Sequence, residues 1–267
     1  MNKFRVACFQ TNSSDIPEEN IIMLEKIFSN ISKKTLDLIC LPECVSIFSD
    51  SRTKINNYFE NWHQIFLNFI ISKAQEFQTN ILIGSFPYKN KNKKKFLNRS
   101  LIICSKGNIL TYYDKINLFD VLLNKNEKYL ESKNFDSGKK LKVIKFPWGN
   151  LGMSICYDLR FPNLYKSLAR RGADFFSIPA AFTYTTGKSH WHTLIRARAI
   201  ENGCFVFAPA QCGIHKNGRK TFGHSLIVDP WGKVIAEAKN KIDVIEARID
   251  TELVKKVREK IPSMTTF

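Results

Sequence analysis

The sequence predicts an α/β domain in which helices cover β-sheets. Short apolar or alternating runs of strand character take turns with segments of helical periodicity along the chain, and that alternation places helices on sheet faces. A chain of 267 residues, 44% of them hydrophobic, can bury one substantial core, and no linker divides it. Residues 1–267 are therefore expected to form a single domain. No internal repeat is evident.

The elements follow in order. Phe4–Phe9 reads as a strand, and Ile21, Leu24, Phe28 and Ile31 mark an amphipathic helix. Leu36–Leu41 reads as a buried strand stopped by Pro42, so that Glu43 emerges at its C-terminal end. A longer helix is expected near Tyr58–Phe77, then strands at Asn80–Tyr88, Arg99–Ser105 and Asn108–Lys115, the last two joined by a turn at Lys106-Gly107-Asn108. Lys115 thus also lies at a strand end. Strands at Ala173–Phe182 and Cys204–Gln211 flank a helix at His190–Asn202, and Ser225–Val228 and Lys233–Glu237 pair through the turn Asp229-Pro-Trp-Gly232.

Between these runs lies Leu151-Gly-Met-Ser-Ile-Cys-Tyr-Asp-Leu-Arg-Phe-Pro162, which places Cys156 where a strand gives way to a turn. Leu151, Met153 and Ile155 alternate with Gly152, Ser154 and Cys156, and helical spacing resumes at Leu164, Leu168 and Ala169 before Gly172. A strand–turn–helix elbow exposes a nucleophile beside backbone N–H groups able to hold an oxyanion. The competing reading is a buried structural thiol. Glu43 and Lys115 each have a competing reading as solvated charge. Taken together, three residue types that act in concert sit at three strand exits, where open α/β sheets carry their sites.

The composition offers a different function. Forty-one basic against 24 acidic residues give a net charge of +17, which would suit a basic nucleic-acid-binding protein. Yet the dense basic run, Lys89-Asn-Lys-Asn-Lys-Lys-Lys95, has no interleaved aromatics for base stacking, and no nucleic-acid-binding signature accompanies it. It reads as a solvated loop. The opening residues pass into strand pattern without a secretory apolar region, no stretch reaches membrane-spanning length, and seven cysteines form no disulfide or zinc spacing. The expected compartment is the cytoplasm, with no membrane and no specific nucleic acid as partners. Cys8, Cys40, Cys104 and Cys204 read as core; Cys44 and Cys212 stay ambiguous. The histidines are not read as ligands, because His190 and His192 are two apart on a helix and do not face each other. His63 and His215 are expected at the surface, and His224 at the core edge or an oligomer interface.

The series Leu-Pro-Glu43, Tyr-Asp-Lys115-Ile-Asn-Leu-Phe-Asp-Val and Ile-Cys156-Tyr-Asp-Leu-Arg-Phe-Pro resembles the carbon–nitrogen hydrolases of the nitrilase superfamily. It continues through Pro179-Ala-Ala-Phe-Thr183, Thr186-Gly187, His190-Trp191, Arg196-Ala-Arg-Ala-Ile-Glu-Asn202, Gly223-His-Ser225 and Asp229-Pro-Trp-Gly232, so the resemblance covers nearly the whole chain. It is greatest to the deaminated-glutathione amidase branch, with the ω-amidases close by. Asn117 stands where that branch usually has histidine, and His192 where many members have glutamate. The resemblance implies a four-layer α-β-β-α sandwich of the nitrilase type, with subunits paired through Asn163–Arg171, His190–Asn202 and the C-terminal segment. A homodimer or larger homo-oligomer is expected, with Trp191 and Phe267 buried against the partner.

Amide hydrolysis through a covalent intermediate needs a nucleophile, a group that removes and returns a proton, and positive charge where the oxyanion develops. Cys156, Glu43 and Lys115 fill those roles in turn, and the charge of Lys115 is expected to favour thiolate and make Cys156 the first cysteine alkylated by iodoacetamide. The backbone N–H of Tyr157 is the second oxyanion donor. By resemblance, Glu131 supports the lysine and orients substrate. Arg160 and Thr183 are candidates for the acyl part of the substrate, the arginine because its planar fork fits a carboxylate. No metal or organic cofactor is required. The expected substrate is a small carboxylate-bearing amide, first deaminated glutathione; the alternatives are an ω-amide of a keto acid such as α-ketoglutaramate, or an N-carbamoyl compound.

Overall fold

The computed structural model describes residues 2–32, 36–89, 94–124 and 127–263. Its first half contains β1 (Lys3–Gln10), α1 (Pro17–Ser29), β2 (Leu38–Cys40), α2 (Arg52–Asn57), α3 (His63–Glu76), β3 (Asn80–Lys89), β4 (Phe96–Ile103), β5 (Ile109–Asp114), the hairpin of β6 (Asp120–Asn124) and β7 (Glu127–Leu130), and the short β8 (Phe135–Asp136). The second half contains β9 (Lys142–Phe146), β10 (Gly149–Met153), α4 (Pro162–Arg170), β11 (Phe175–Ser177), α5 (Tyr184–Asn202), β12 (Phe205–Ala208), β13 (Cys212–Ile214), β14 (Lys220–Phe222), β15 (Leu226–Val228), β16 (Val234–Glu237), β17 (Asp243–Asp250) and α6 (Glu252–Lys260).

Two sheets share one construction. The first runs β17-β1-β2-β3-β4-β5 with β8 beside β4, the second β16-β15-β12-β11-β10-β9. In each, three parallel strands occupy the middle and antiparallel strands flank them. The two-residue period of β1 shows how the layers are built: Val6 and Cys8 join the core that contains the second sheet, whereas Ala7 and Phe9 join the core under Leu24 and Phe28 of α1 and Phe66 and Ile70 of α3. On the far side, α4 and α5 contribute Leu164, Leu168, Trp191 and Ile195 to the core of the second sheet. The result is the four-layer α-β-β-α sandwich expected.

Several boundaries differ from the sequence reading for physical reasons. The helix expected near Tyr58–Phe77 is α2 and α3 joined through a π-helical turn at Tyr58–Trp62, which a 3.6-residue period does not reveal. The helix expected at His190–Asn202 begins at Tyr184, because Thr186 and Gly187 are buried on its face. Gly187 is required there, since a Cβ would stand 2.4 Å from the Phe222 ring. The strand expected over Ala173–Phe182 is confined to Phe175–Ser177, after which isolated bridges at Ala180 and Thr183 carry the chain toward the site. Residues 90–93 of the basic run, and Phe267, lie outside the described residues. Trp191 is fully buried within its own chain, donating through Nε1 to the His224 carbonyl at 2.7 Å, and offers nothing to a partner subunit.

Candidate active site

The ends of the central parallel strands meet at one cavity of about 770 Å³. Glu43 reaches it directly after β2, and the path is tight: a Cβ on Gly84 of the adjacent β3 would lie 2.0 Å from the Leu41 carbonyl oxygen and 2.3 Å from that of Pro42. Glycine at 84 therefore sets the course of the loop that presents Glu43. The backbone carbonyl of Glu43 accepts from Gln211 Nε2 at 2.9 Å, and its carboxylate accepts from the Ala181 N–H at 2.7 Å. Lys115 follows β5 and points its ammonium between two carboxylates, 2.8 Å from Glu43 Oε1 and 2.8 Å from Glu131 Oε2. Asn98 on β4 ties the same pair together from the other side, donating to Glu43 Oε1 at 3.1 Å and Glu131 Oε1 at 2.8 Å.

Cys156 comes from the second sheet. β10 ends at Met153, the chain enters a 3₁₀ turn at Cys156–Arg160, and α4 starts at Pro162, so the elbow is present. Cys156 has φ +45°, a left-handed conformation that costs a non-glycine residue free energy and is held here by its surroundings. Its N–H donates to the Pro179 carbonyl at 2.9 Å. Asp158, wholly buried two residues later, accepts from the Ile155 N–H, the Tyr113 hydroxyl and both the N–H and Nδ2 of Asn117, all at 2.8–2.9 Å. The Asn117 amide thus pins the elbow to the segment after β5 that carries Lys115. The Tyr157 N–H lies in the first turn, where helical N–H groups have no acceptor within the helix.

Glu43, Lys115 and Cys156 are 4, 2 and 7% exposed, so their charges act with little screening. Burial alone would raise the Glu43 carboxyl, but the charge and hydrogen bond of Lys115, with bonds from the Cys156 thiol and Ala181, outweigh it and hold the group below the usual carboxylate range. Burial would likewise lower Lys115, and the charges of Glu131 and Glu43 reverse that and raise it well above the ordinary lysine range. Cys156 behaves differently from the expectation. Burial and the charge of Glu43 push its thiol well up, and Lys115 opposes them without prevailing. Lys115 is shared by two carboxylates, so its charge does not offset what burial and Glu43 do to the sulfur. Preferential alkylation on account of a resting thiolate is therefore not expected, since burial also raises Cys8, takes Cys204 to about 12 and Cys212 to about 11.

The side chains of the remaining sequence candidates lie apart from this cavity wall. The Tyr157 ring packs between Phe119 and Phe161, at 5.1 and 5.5 Å. Arg160 Nη2 lies 3.2 Å from the His190 ring, with the Phe182 ring 5.2 Å away, and the Thr183 hydroxyl bonds that of Thr186 at 2.7 Å. In their place the cavity is walled by Phe48, Phe119, Tyr129 and Arg219, none singled out in the sequence. Two histidine expectations fail. His215 is 2% exposed, stacked on Phe48 at 3.9 Å with both ring nitrogens bonded, and His63 is half-buried against Phe59 and Phe86. His192 Nε2 and His224 Nδ1 converge on Glu237 Oε1 at 2.9 and 2.8 Å, a trio able to hold a cation and made by three separate elements, which spacing along one helix does not show.

The whole arrangement can be set against known proteins. The carbon-nitrogen hydrolase family model matches residues 5–259. The chain belongs to the carbon-nitrogen hydrolase family. It is 38% identical to the deaminated glutathione amidase of a Synechocystis strain, over 99% of this chain and 98% of that one, and 37% identical to the enzyme of the same name from Dictyostelium discoideum, over 98 and 93%. Among solved structures, the Caenorhabditis elegans NitFhit protein superposes with a TM-score of 0.91 at 32% identity, covering 100% of this chain and 65% of that longer one. Saccharomyces cerevisiae Nit3, of branch 10 of the nitrilase superfamily, gives 0.85 at 29% identity, covering 98 and 95%. This carbon-nitrogen hydrolase is thus an enzyme of C–N bond hydrolysis, an amidohydrolase.

Proposed function

We propose that this hydrolase cleaves a small carboxylate-bearing amide through a thioester at Cys156, with Glu43 as the proton carrier and Lys115 as the oxyanion cation. The observation that carries the reading is the meeting of buried Cys156, Glu43 and Lys115 at one cavity, with Lys115 Nζ 2.8 Å from Glu43 Oε1. Glu43 takes the thiol proton as the sulfur attacks the carbonyl carbon, and the developing oxyanion is met by Lys115 Nζ and the Tyr157 N–H. When the C–N bond breaks, Glu43 returns its proton to the leaving nitrogen. Water then gives a proton to Glu43 and its oxygen to the thioester carbon, releasing the acid and restoring the thiol. Glu131 and Asn98 hold Lys115 and Glu43 in position. Each oxyanion donor contributes on the order of 10²- to 10³-fold in kcat in comparable acyl-transfer enzymes.

Deaminated glutathione is the first candidate substrate, on the names of the relatives above. The test is release of the amine product from deaminated glutathione, α-ketoglutaramate, N-carbamoyl-β-alanine and a simple nitrile. The highest kcat/KM is expected for deaminated glutathione, and a preference for the nitrile would overturn the reading. A cytoplasmic setting suits a reduced thiol nucleophile, and a homodimer through α4 and α5 is part of the proposal. Among the described residues no helix is long and apolar enough to cross a membrane.

A further inference from the structure

Arg219 enters the wall of the catalytic cavity from the turn joining β13 to β14. Three aromatic rings frame its guanidinium, with centroids 4.6 Å away at Tyr129, 5.2 Å at Phe48 and 5.9 Å at Phe119. Nη2 donates to the Ala181 carbonyl at 3.3 Å, and the Tyr129 hydroxyl meets the guanidinium. These two contacts leave most of the five donors unused, and Nε is buried with no hydrogen-bond partner. Among the described residues, no carboxylate forms an ion pair with Arg219. A desolvated donor of this kind is costly unless something fills it.

The other cations of the cavity are differently placed. Lys115 is saturated by Glu43 and Glu131, Lys220 Nζ sits 3.8 Å over the Tyr184 ring, and Lys128 and Lys133 are exposed. Arg219 is also close to the reacting groups, because the residue whose carbonyl it holds, Ala181, gives its N–H to Glu43. We propose that Arg219 is the receptor for the substrate carboxylate, its Nε–H and an Nη–H forking onto the two oxygens, and that this contact sets the preference of the enzyme for anionic amides. The assignment rests on the amidase reading given above, and it moves the carboxylate-binding role expected of Arg160 to a residue in the cavity wall.

Succinamate and its neutral methyl ester provide the test, assayed for ammonia release with the wild-type enzyme, Arg219→Gln and Arg219→Lys, while calorimetric titration with succinate measures carboxylate binding without turnover. The acid-over-ester ratio of kcat/KM is expected to fall roughly 10- to 100-fold in Arg219→Gln, the range for a charged hydrogen bond, mainly through KM, with partial recovery in Arg219→Lys. Succinate affinity should weaken by a similar factor. An unchanged ratio and unchanged succinate affinity in folded Arg219→Gln would overturn the assignment. Succinate binding that depends on Arg219, in an enzyme that releases ammonia from neither compound, would instead count against the amidase reading while leaving the receptor standing.

Discussion

Lys115 Nζ lies 2.8 Å from each of two carboxylates, and Glu237 Oε1 lies 2.9 and 2.8 Å from two imidazoles. The distances match and the surroundings do not. The lysine cluster is 2–13% exposed by side chain, whereas His192, His224 and Glu237 are 26–36% exposed. In the first, burial forces each group to depend on its neighbours, so Glu43 is held low and Lys115 and the Cys156 thiol high. In the second, solvent screens the charges, and Glu237 is lowered because the hydrogen bonds from His224 and His192 outweigh partial burial. Burial, rather than spacing, is what converts a group of charges into a site where one proton can be moved between sulfur and oxygen.

Substitution is the direct way to break this comparison. Lys115→Met leaves Glu43 and Glu131 facing each other without their cation, and should destabilise the protein by roughly 3–5 kcal/mol while lowering kcat by about 10³-fold. His192→Ala removes a half-exposed partner and should stay within about 0.5 kcal/mol. Denaturant midpoints and single-substrate kinetics on both variants check this. Equal stability losses would mean that burial does not separate the two clusters.

A buried group outside the catalytic cluster sharpens the same point by pH. His215 is held neutral, its pKa lowered to about 4, first by burial and then by the charge of Arg219, against a bond to the Ser13 carbonyl. Its folded pKa lies below the unfolded value of about 6.5, so the unfolded chain binds the extra proton between the two. The stability it confers is complete above pH 6.5 and lost as pH falls toward 4, by at most about 3 kcal/mol. His215→Gln should flatten that part of the stability curve measured by urea unfolding; an identical slope would remove His215 as its cause.

Chelation is expected to have the smallest effect. Any cation taken up by His192, His224 and Glu237 would sit away from the cavity walls, and proton transfer there is assigned to Glu43. Dialysis against EDTA should leave amide turnover unchanged. Loss of activity restored by zinc would transfer a catalytic part to a metal.

How much of this was legible in the sequence depends on whether a residue's role is local. Glu43, Lys115 and Cys156 could be placed because Pro42, the Gly107 turn and the run before Cys156 fix three strand exits from nearby residues alone. Asn98, Asp158 and Arg219 could not be found that way, since each matters through a partner far along the chain: Glu43 for Asn98 at a separation of 55, Tyr113 for Asp158 at 45, and Ala181 for Arg219 at 38. His215 failed for the same reason at longer range: Ser13, 202 residues away, supplies the bond that buries it. The β6–β7 hairpin was missed because its residues alternate between half-buried and exposed, with charged Asp120 and Glu127 opening its two strands.

The central claim is that acyl transfer passes through the sulfur of Cys156. Rapid acid quench of the enzyme with deaminated glutathione, followed by peptide mass spectrometry, reads it directly. An acyl adduct is expected on the Cys156 peptide, accumulating in the steady state or when Glu43 is replaced by glutamine, together with a loss of turnover on the order of 10⁶-fold in folded Cys156→Ala. Amide turnover by Cys156→Ala at the wild-type rate, with the acyl group found on no cysteine, would contradict it.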